Sequence, residues 1–133
     1  MNVPSIQIAL AGESPAYAPG DVLKGQFSLE GVDAHEIRAV ELSVLWHTEG
    51  KGDEDMSVHY FERLEPDGDE YLDFCQPRPF TTILPNSPLS YRGFIVKIHW
   101  CVRVRLFLAR GKEVSIDVPF QLGTVPHPKE VPA

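Results

Sequence analysis

"FIVKIHWCVRVRLFL", residues 94–108, carries an apolar side chain at every second position: Phe94, Val96, Ile98, Trp100, Val102, Val104, Leu106 and Leu108. Successive side chains of a strand point to opposite faces, so this period predicts one strand with a continuously apolar face. At about 3.3 Å per residue the segment spans roughly 50 Å, long enough that it is expected to bend or to change sheets. Its opposite face then carries Lys97, His99, Cys101, Arg103 and Arg105. Between Arg92 and Lys112 there are six Lys or Arg and no Asp or Glu, in a chain of formal charge -7. Such a local inversion of sign asks for a compensating group.

The same period continues on both sides. After a turn at Gly111, "VSIDVPFQLG" (114–123) sets Val114, Ile116, Val118, Phe120 and Leu122 on one face, and Pro119, which has no N–H to donate, suits an edge. Upstream, "SIQIAL" (5–10) and "VLKGQFSLE" (22–30) alternate in the same way, with Gly25 in phase with Leu23, Phe27 and Leu29, as if to let a neighbour approach. "IRAVELSVLWHT" (37–48) turns Val40, Leu42, Val44 and Trp46 inward, with Arg38, Ala39, Glu41 and Ser43 outside or at its start; "MSVHYFERL" (56–64) is framed by Met56, Val58, Tyr60 and Leu64. An Asp-Gly pair at Gly68 predicts a hairpin returning through "YLDFCQ" (71–76).

No segment holds helical spacing for three turns, so the chain reads as all-β. Some seven strands, each with one apolar face, call for two packed sheets, an immunoglobulin-like antiparallel β-sandwich over residues 1–123, with Trp46 and Trp100 as core anchors. Residues 124–133, "TVPHPKEVPA", are expected to form a Pro-rich tail.

Two stretches resemble arrestin-fold domains. "YAPGDVLKGQFSLEG" (17–31) is similar to their opening, an aromatic residue and a Pro-Gly turn before a strand of "V-x-G-x-V" type. "FTTILPNSPLSYRGFIVKIHWCVRVRL" (80–106) is similar to their "LP" turn, "S-[FY]-x-G" step and long strand. The resemblance covers roughly residues 6–122 and implies one lobe of an arrestin-like sandwich, an architecture shared with Vps26-type retromer subunits and bacterial sporulation-control proteins. Its compactness is in the bacterial style. Those relatives carry two lobes and this sequence has room for one, so inter-lobe binding does not transfer. Phosphate reading does not transfer either, because "PSIQIAL" (4–10) lacks Lys and Arg. What the resemblance implies is a non-catalytic adaptor or scaffold.

Net charge argues against a nucleic-acid partner held by a general basic field. "MNVPSIQIAL" lacks the features of a signal peptide, and no stretch reaches the roughly 18 apolar residues of a spanning helix; a cytoplasmic protein without membrane insertion is expected. Cys75 and Cys101 are too few for a disulfide framework, and two reduced thiols are expected, although one bridge stays open on sequence alone.

Two candidate binding sites follow. The basic strand face, Lys97, Arg103 and Arg105, either meets an acidic surface of a protein partner or pairs across its sheet with carboxylates such as Glu41, Asp117 or Glu62. Ten carboxylates between Glu49 and Asp73 stand against Lys51 and Arg63, so partners within the chain, or within a second copy, are plentiful. The turn "LPNSPLSYRG" (84–93) is either a crossover between sheets or an exposed loop presenting Asn86, Ser87, Tyr91 and Arg92. His47, His59 and His99 raise the alternative of a metal-dependent enzyme, but none has ligand spacing, and no nucleophile elbow or phosphate loop is present. The reading is therefore a protein-protein interaction module with no cofactor, no metal and no catalytic residues. The alternative is a structural subunit that self-associates, for instance as a homodimer, through sheet edges.

Overall fold

Alternating apolar side chains, interrupted by Gly, Pro and acidic turns, form nine strands in the computed structural model, which describes residues 3–12, 15–52, 54–66, 76–93 and 95–123. They are β1 (Ser5–Leu10), β2 (Ala16–Tyr17), β3 (Val22–Glu30), β4 (Ile37–Gly50), β5 (Met56–Leu64), β6 (Arg78–Ile83), β7 (Tyr91–Arg92), β8 (Val96–Leu108) and β9 (Glu113–Leu122). The expected Asp-Gly hairpin, the returning strand as far as Cys75, Phe94 and the tail lie outside the described residues. A small sheet has the order β1-β3-β6 and a large one β2-β9-β8-β4-β5, with β7 added beside β8. Apart from the parallel contact of β2 with β9, all the pairings are antiparallel.

The core lies between the sheets. Leu23, Phe27 and Leu29 of β3 join Val40, Leu42 and Val44 of β4 and Trp100, Val102, Val104 and Leu106 of β8 in one buried cluster. Trp100 is 1% exposed, whereas Trp46 packs against the cluster only partly buried. Gly25 has the role its phase suggested. Phe80 lies opposite it on β6, and a Cβ on Gly25 would sit 2.6 Å from Phe80 Cζ and 2.8 Å from the Ala9 carbonyl oxygen.

Three departures from the sequence reading have physical causes. First, β8 stays in one sheet, because the 14 residues of β4 give it a partner of matching length, from Ile37 opposite Leu108 to Gly50 opposite Val96. What changes is its other neighbour, β9 at Trp100–Phe107 and β7 at Lys97–Ile98. Second, Ala39, Ser43 and Leu45 are buried although they lie on the outer face of β4. That strand has neighbours on both sides, whose side chains flank it: bulky Phe107 beside Ala39, Arg103 and Phe61 beside Ser43, and apolar Cys101 and Val58 on either side of Leu45. Third, a β-bulge splits β5. Val44 pairs with Tyr60 and Leu45 with Val58, leaving His59 as the extra residue. Tyr60 and Leu64 pack on the core, but Met56 and Val58 turn to the outer face and are exposed.

The segment after β6 carries the chain from the small sheet to the large one. Leu84 is buried and tied to the loop before β3, its N–H donating to the Asp21 carbonyl and its carbonyl accepting from Gly20. Ser90 then exchanges hydrogen bonds with Leu122, and the Trp100 indole donates to the Pro88 carbonyl at 2.8 Å. Among the described residues no helix is long and apolar enough to cross a membrane.

Candidate functional site

Cross-strand register builds the outer face of the large sheet rank by rank. One rank is apolar: Pro119, Cys101, Leu45 and Val58, from β9 through β8 and β4 to β5. Leu45 and Cys101 are almost fully covered, while Val58 and its neighbours Met56 and Phe61 are 44%, 59% and 52% exposed. Burial pushes the Cys101 thiol up to about 11, where it is a poor nucleophile at neutral pH.

The adjoining ranks are ionic. Arg103 holds Asp117 through two hydrogen bonds, Nε to Oδ1 at 2.8 Å and Nη2 to Oδ2 at 3.1 Å. One rank further, Arg63, Glu41 and Arg105 alternate in sign across β5, β4 and β8, and Glu65 just past β5 and Glu113 one rank along β9 extend the chain of pairs, with Arg105 Nη2 at 2.6 Å from Glu113 Oε1 and Arg105 Nη1 at 3.8 Å from Glu41 Oε1. The guanidinium groups of Arg63 and Arg105 also lie over the Phe107 ring, 5.5 and 5.0 Å from its centroid. Arg103 and Arg105, two residues of the basic face, thus have carboxylate partners inside the sheet. Glu62, the third carboxylate considered for them, lies instead opposite core-facing Leu42, where Arg78 of β6 approaches it at 3.8 Å.

Lys97 is placed differently. It stands between Glu49 of β4 and Arg92 of β7, and among the described residues neither cation forms an ion pair within 4.0 Å. Glu49 accepts a hydrogen bond from His99 at 2.7 Å, and that bond, together with Lys97, holds its carboxyl below the usual range. His47 and His99 face each other with ring centroids 5.3 Å apart. His59 does not join them, for its Nε2 lies 2.7 Å from the Ile83 carbonyl at the bulge. Among the described residues no three His, Cys, Asp or Glu side chains are grouped to hold a metal.

Where β8 exchanges β9 for β7, the sheet has a notch of about 230 Å³, opening beside His99. Tyr91 and Arg92 from the sequence-predicted loop line it, with Ile98, Trp100, Pro119 and Phe120. Asn86 and Ser87 are exposed on the crossover and do not line it. The outward turn of Met56 and Val58 and the notch both escaped the sequence reading. A bulge leaves no periodic mark, and the notch is formed by segments distant in the chain.

A three-stranded sheet packed on a larger one, with a long strand reached through a Pro-rich crossover, is an arrestin-like β-sandwich. The fold is similar to the crystal structure of Spo0M, a sporulation control protein from Bacillus subtilis, with 19% sequence identity and a TM-score of 0.62. The likeness covers 93% of this chain and 51% of that one, so this chain spans about half the length of Spo0M. No family model matches the sequence, and no curated protein sequence matches it.

Proposed function

We propose that the chain is a non-catalytic protein-protein interaction module that binds a protein partner through the outer face of its large sheet. The observation that carries this reading is the cluster of exposed Met56, Val58 and Phe61 continuing an apolar rank beside ion pairs already neutralised within the sheet. Contiguous exposed apolar surface with a polar rim is what an interface core looks like before it is covered. The arrestin-like fold supports the adaptor reading by analogy, and the structurally similar Spo0M is a sporulation control protein.

The test is affinity capture from native lysate with the wild-type chain and a Met56→Ser, Val58→Ser, Phe61→Ser variant, alongside sedimentation of each alone. A defined protein retained by the wild type and lost by a variant of unchanged melting temperature is the expected result. Self-association without a second protein would replace the module by a structural subunit. Retention of the same partner by the variant would remove this face from the proposal.

A further inference from the structure

Arg92 and Lys97 face each other directly across the β7–β8 pair. Like charges placed opposite in this way destabilise a sheet, so the arrangement asks for an anion between them. The carboxylate nearest in register, Glu49, stands opposite Lys97 and feels its charge but is hydrogen-bonded by His99, and Arg92 lies one strand further away. Elsewhere on this sheet Arg63, Arg103 and Arg105 have carboxylate partners, whereas among the described residues Arg92 and Lys97, like Arg38 of β4, form no ion pair within 4.0 Å. Arg92 lines the notch and Lys97 stands across the strand pair from it, while the apolar walls come from Tyr91, Ile98, Trp100 and Phe120. At about 230 Å³ it is smaller than the roughly 300–1,000 Å³ of small-molecule sites, a size that suits a protruding side chain.

We infer that this notch docks an extended acidic segment of a partner protein, a carboxylate bridging Arg92 and Lys97 while an adjacent apolar side chain enters between Tyr91, Trp100 and Phe120. The inference rests on the interaction-module reading and adds a second contact with its own chemistry. Charge complementarity selects the occupant: the chain is acidic overall, and here two like-charged side chains stand opposite each other at the edge of an apolar cleft. Opposed anchors of this kind, a charge clamp and an apolar pocket, are how extended peptides are commonly held.

A fluorescein-labelled peptide of sequence GSELEFESG, followed by anisotropy, provides the probe, with GSQLQFQSG as its uncharged counterpart. Expected results are saturable binding of the acidic peptide alone, weakening as salt rises, and a loss of about tenfold or more in Arg92→Gln with Lys97→Gln. Arg103→Gln should leave the affinity unchanged. Amide shifts in the labelled protein should gather at residues 90–92, 98–100 and 119–121. Equal binding of the uncharged peptide, wild-type affinity in the double variant, or no binding up to millimolar peptide would each overturn the inference. Displacement of the peptide by inorganic phosphate at a similar concentration would make this a site for free anions and overturn the peptide assignment. Loss of self-association in the double variant would assign the notch to a second copy, again against the inference. If the notch fails while the Met56, Val58 and Phe61 variant still loses its captured partner, the interaction-module reading stands without it.

Discussion

Gly25 offers the sharpest test of how the small sheet packs. Its φ lies outside the left-handed region, so the backbone alone would accept alanine, and the objection is purely one of space. An added Cβ meets Phe80 Cζ at 2.6 Å, the Ala9 carbonyl at 2.8 Å and Leu10 Cδ2 at 3.1 Å. Phe80 is 5% exposed and cannot swing away, and the carbonyl belongs to the β1–β3 ladder. Overpacking of this kind costs about 1–3 kcal/mol. Against it, alanine restricts the unfolded chain and returns about 0.4–1 kcal/mol. Two contacts below 3.0 Å, one of them to backbone, place the overpacking cost in the upper part of its range, about 2–3 kcal/mol. The net expectation for Gly25→Ala is therefore a loss of about 1–2.5 kcal/mol, and at roughly 3–6 °C per kcal/mol for a domain of this size the melting temperature falls measurably. Urea unfolding of the wild type, Gly25→Ala, Phe80→Leu and the double variant closes a cycle. If the ring is the principal obstacle, Gly25→Ala should be milder where Phe80 has become leucine. A Gly25→Ala protein as stable as wild type, or an equal penalty in both backgrounds, would refute the argument.

Arg103→Glu with Arg105→Glu places new carboxylates against Asp117, Glu113 and Glu41, and should lower stability by about 1–3 kcal/mol, a difference that narrows in high salt. The raised pKa of Cys101 means that the native state favours the neutral thiol, so its contribution is intact below the ordinary thiol value. It should be lost as pH rises from about 9 to about 11, by on the order of 2–3 kcal/mol, a slope absent from Cys101→Ala in urea titrations at each pH. Trp100→Phe removes the donor to the Pro88 carbonyl and should cost about 1–3 kcal/mol, with faster hydrogen exchange at the Ser90 and Leu122 amides that pin the same crossover.

What the sequence made legible is what depends on near neighbours. The inward faces of β3, β4 and β8 follow from period two, and Gly25 announced itself by interrupting an apolar row. Asp117 and Glu41 were nameable as partners of the basic face because strands of opposite charge had to lie side by side; Glu113 was not, since its reach to Arg105 depends on where the Gly111 turn sets the register. The burial of Ala39 and Leu45 was hidden, because only the finished strand order makes β4 interior to its sheet. His59 at the bulge looks like any strand residue, yet its insertion decides whether Met56 and Val58 face the core or the solvent.

The β4–β8 ladder has a consequence for how the chain emerges during synthesis. Its pairs run from Gly50 with Val96 to Ile37 with Leu108, so the two halves of the longest ladder are separated by about 46 to 71 residues. At the roughly 5–20 residues per second of translation, β4 waits on the order of 2–14 s for its partner, with β5 the neighbour available sooner. Through that interval the segment around Leu42, Val44 and Leu45 presents apolar side chains on both faces and an open hydrogen-bonding edge, the combination that most invites pairing with another nascent chain. Expression yield should therefore respond to chaperone supply and to translation speed between codons 50 and 96 more than to modest changes in the stability of the finished sandwich.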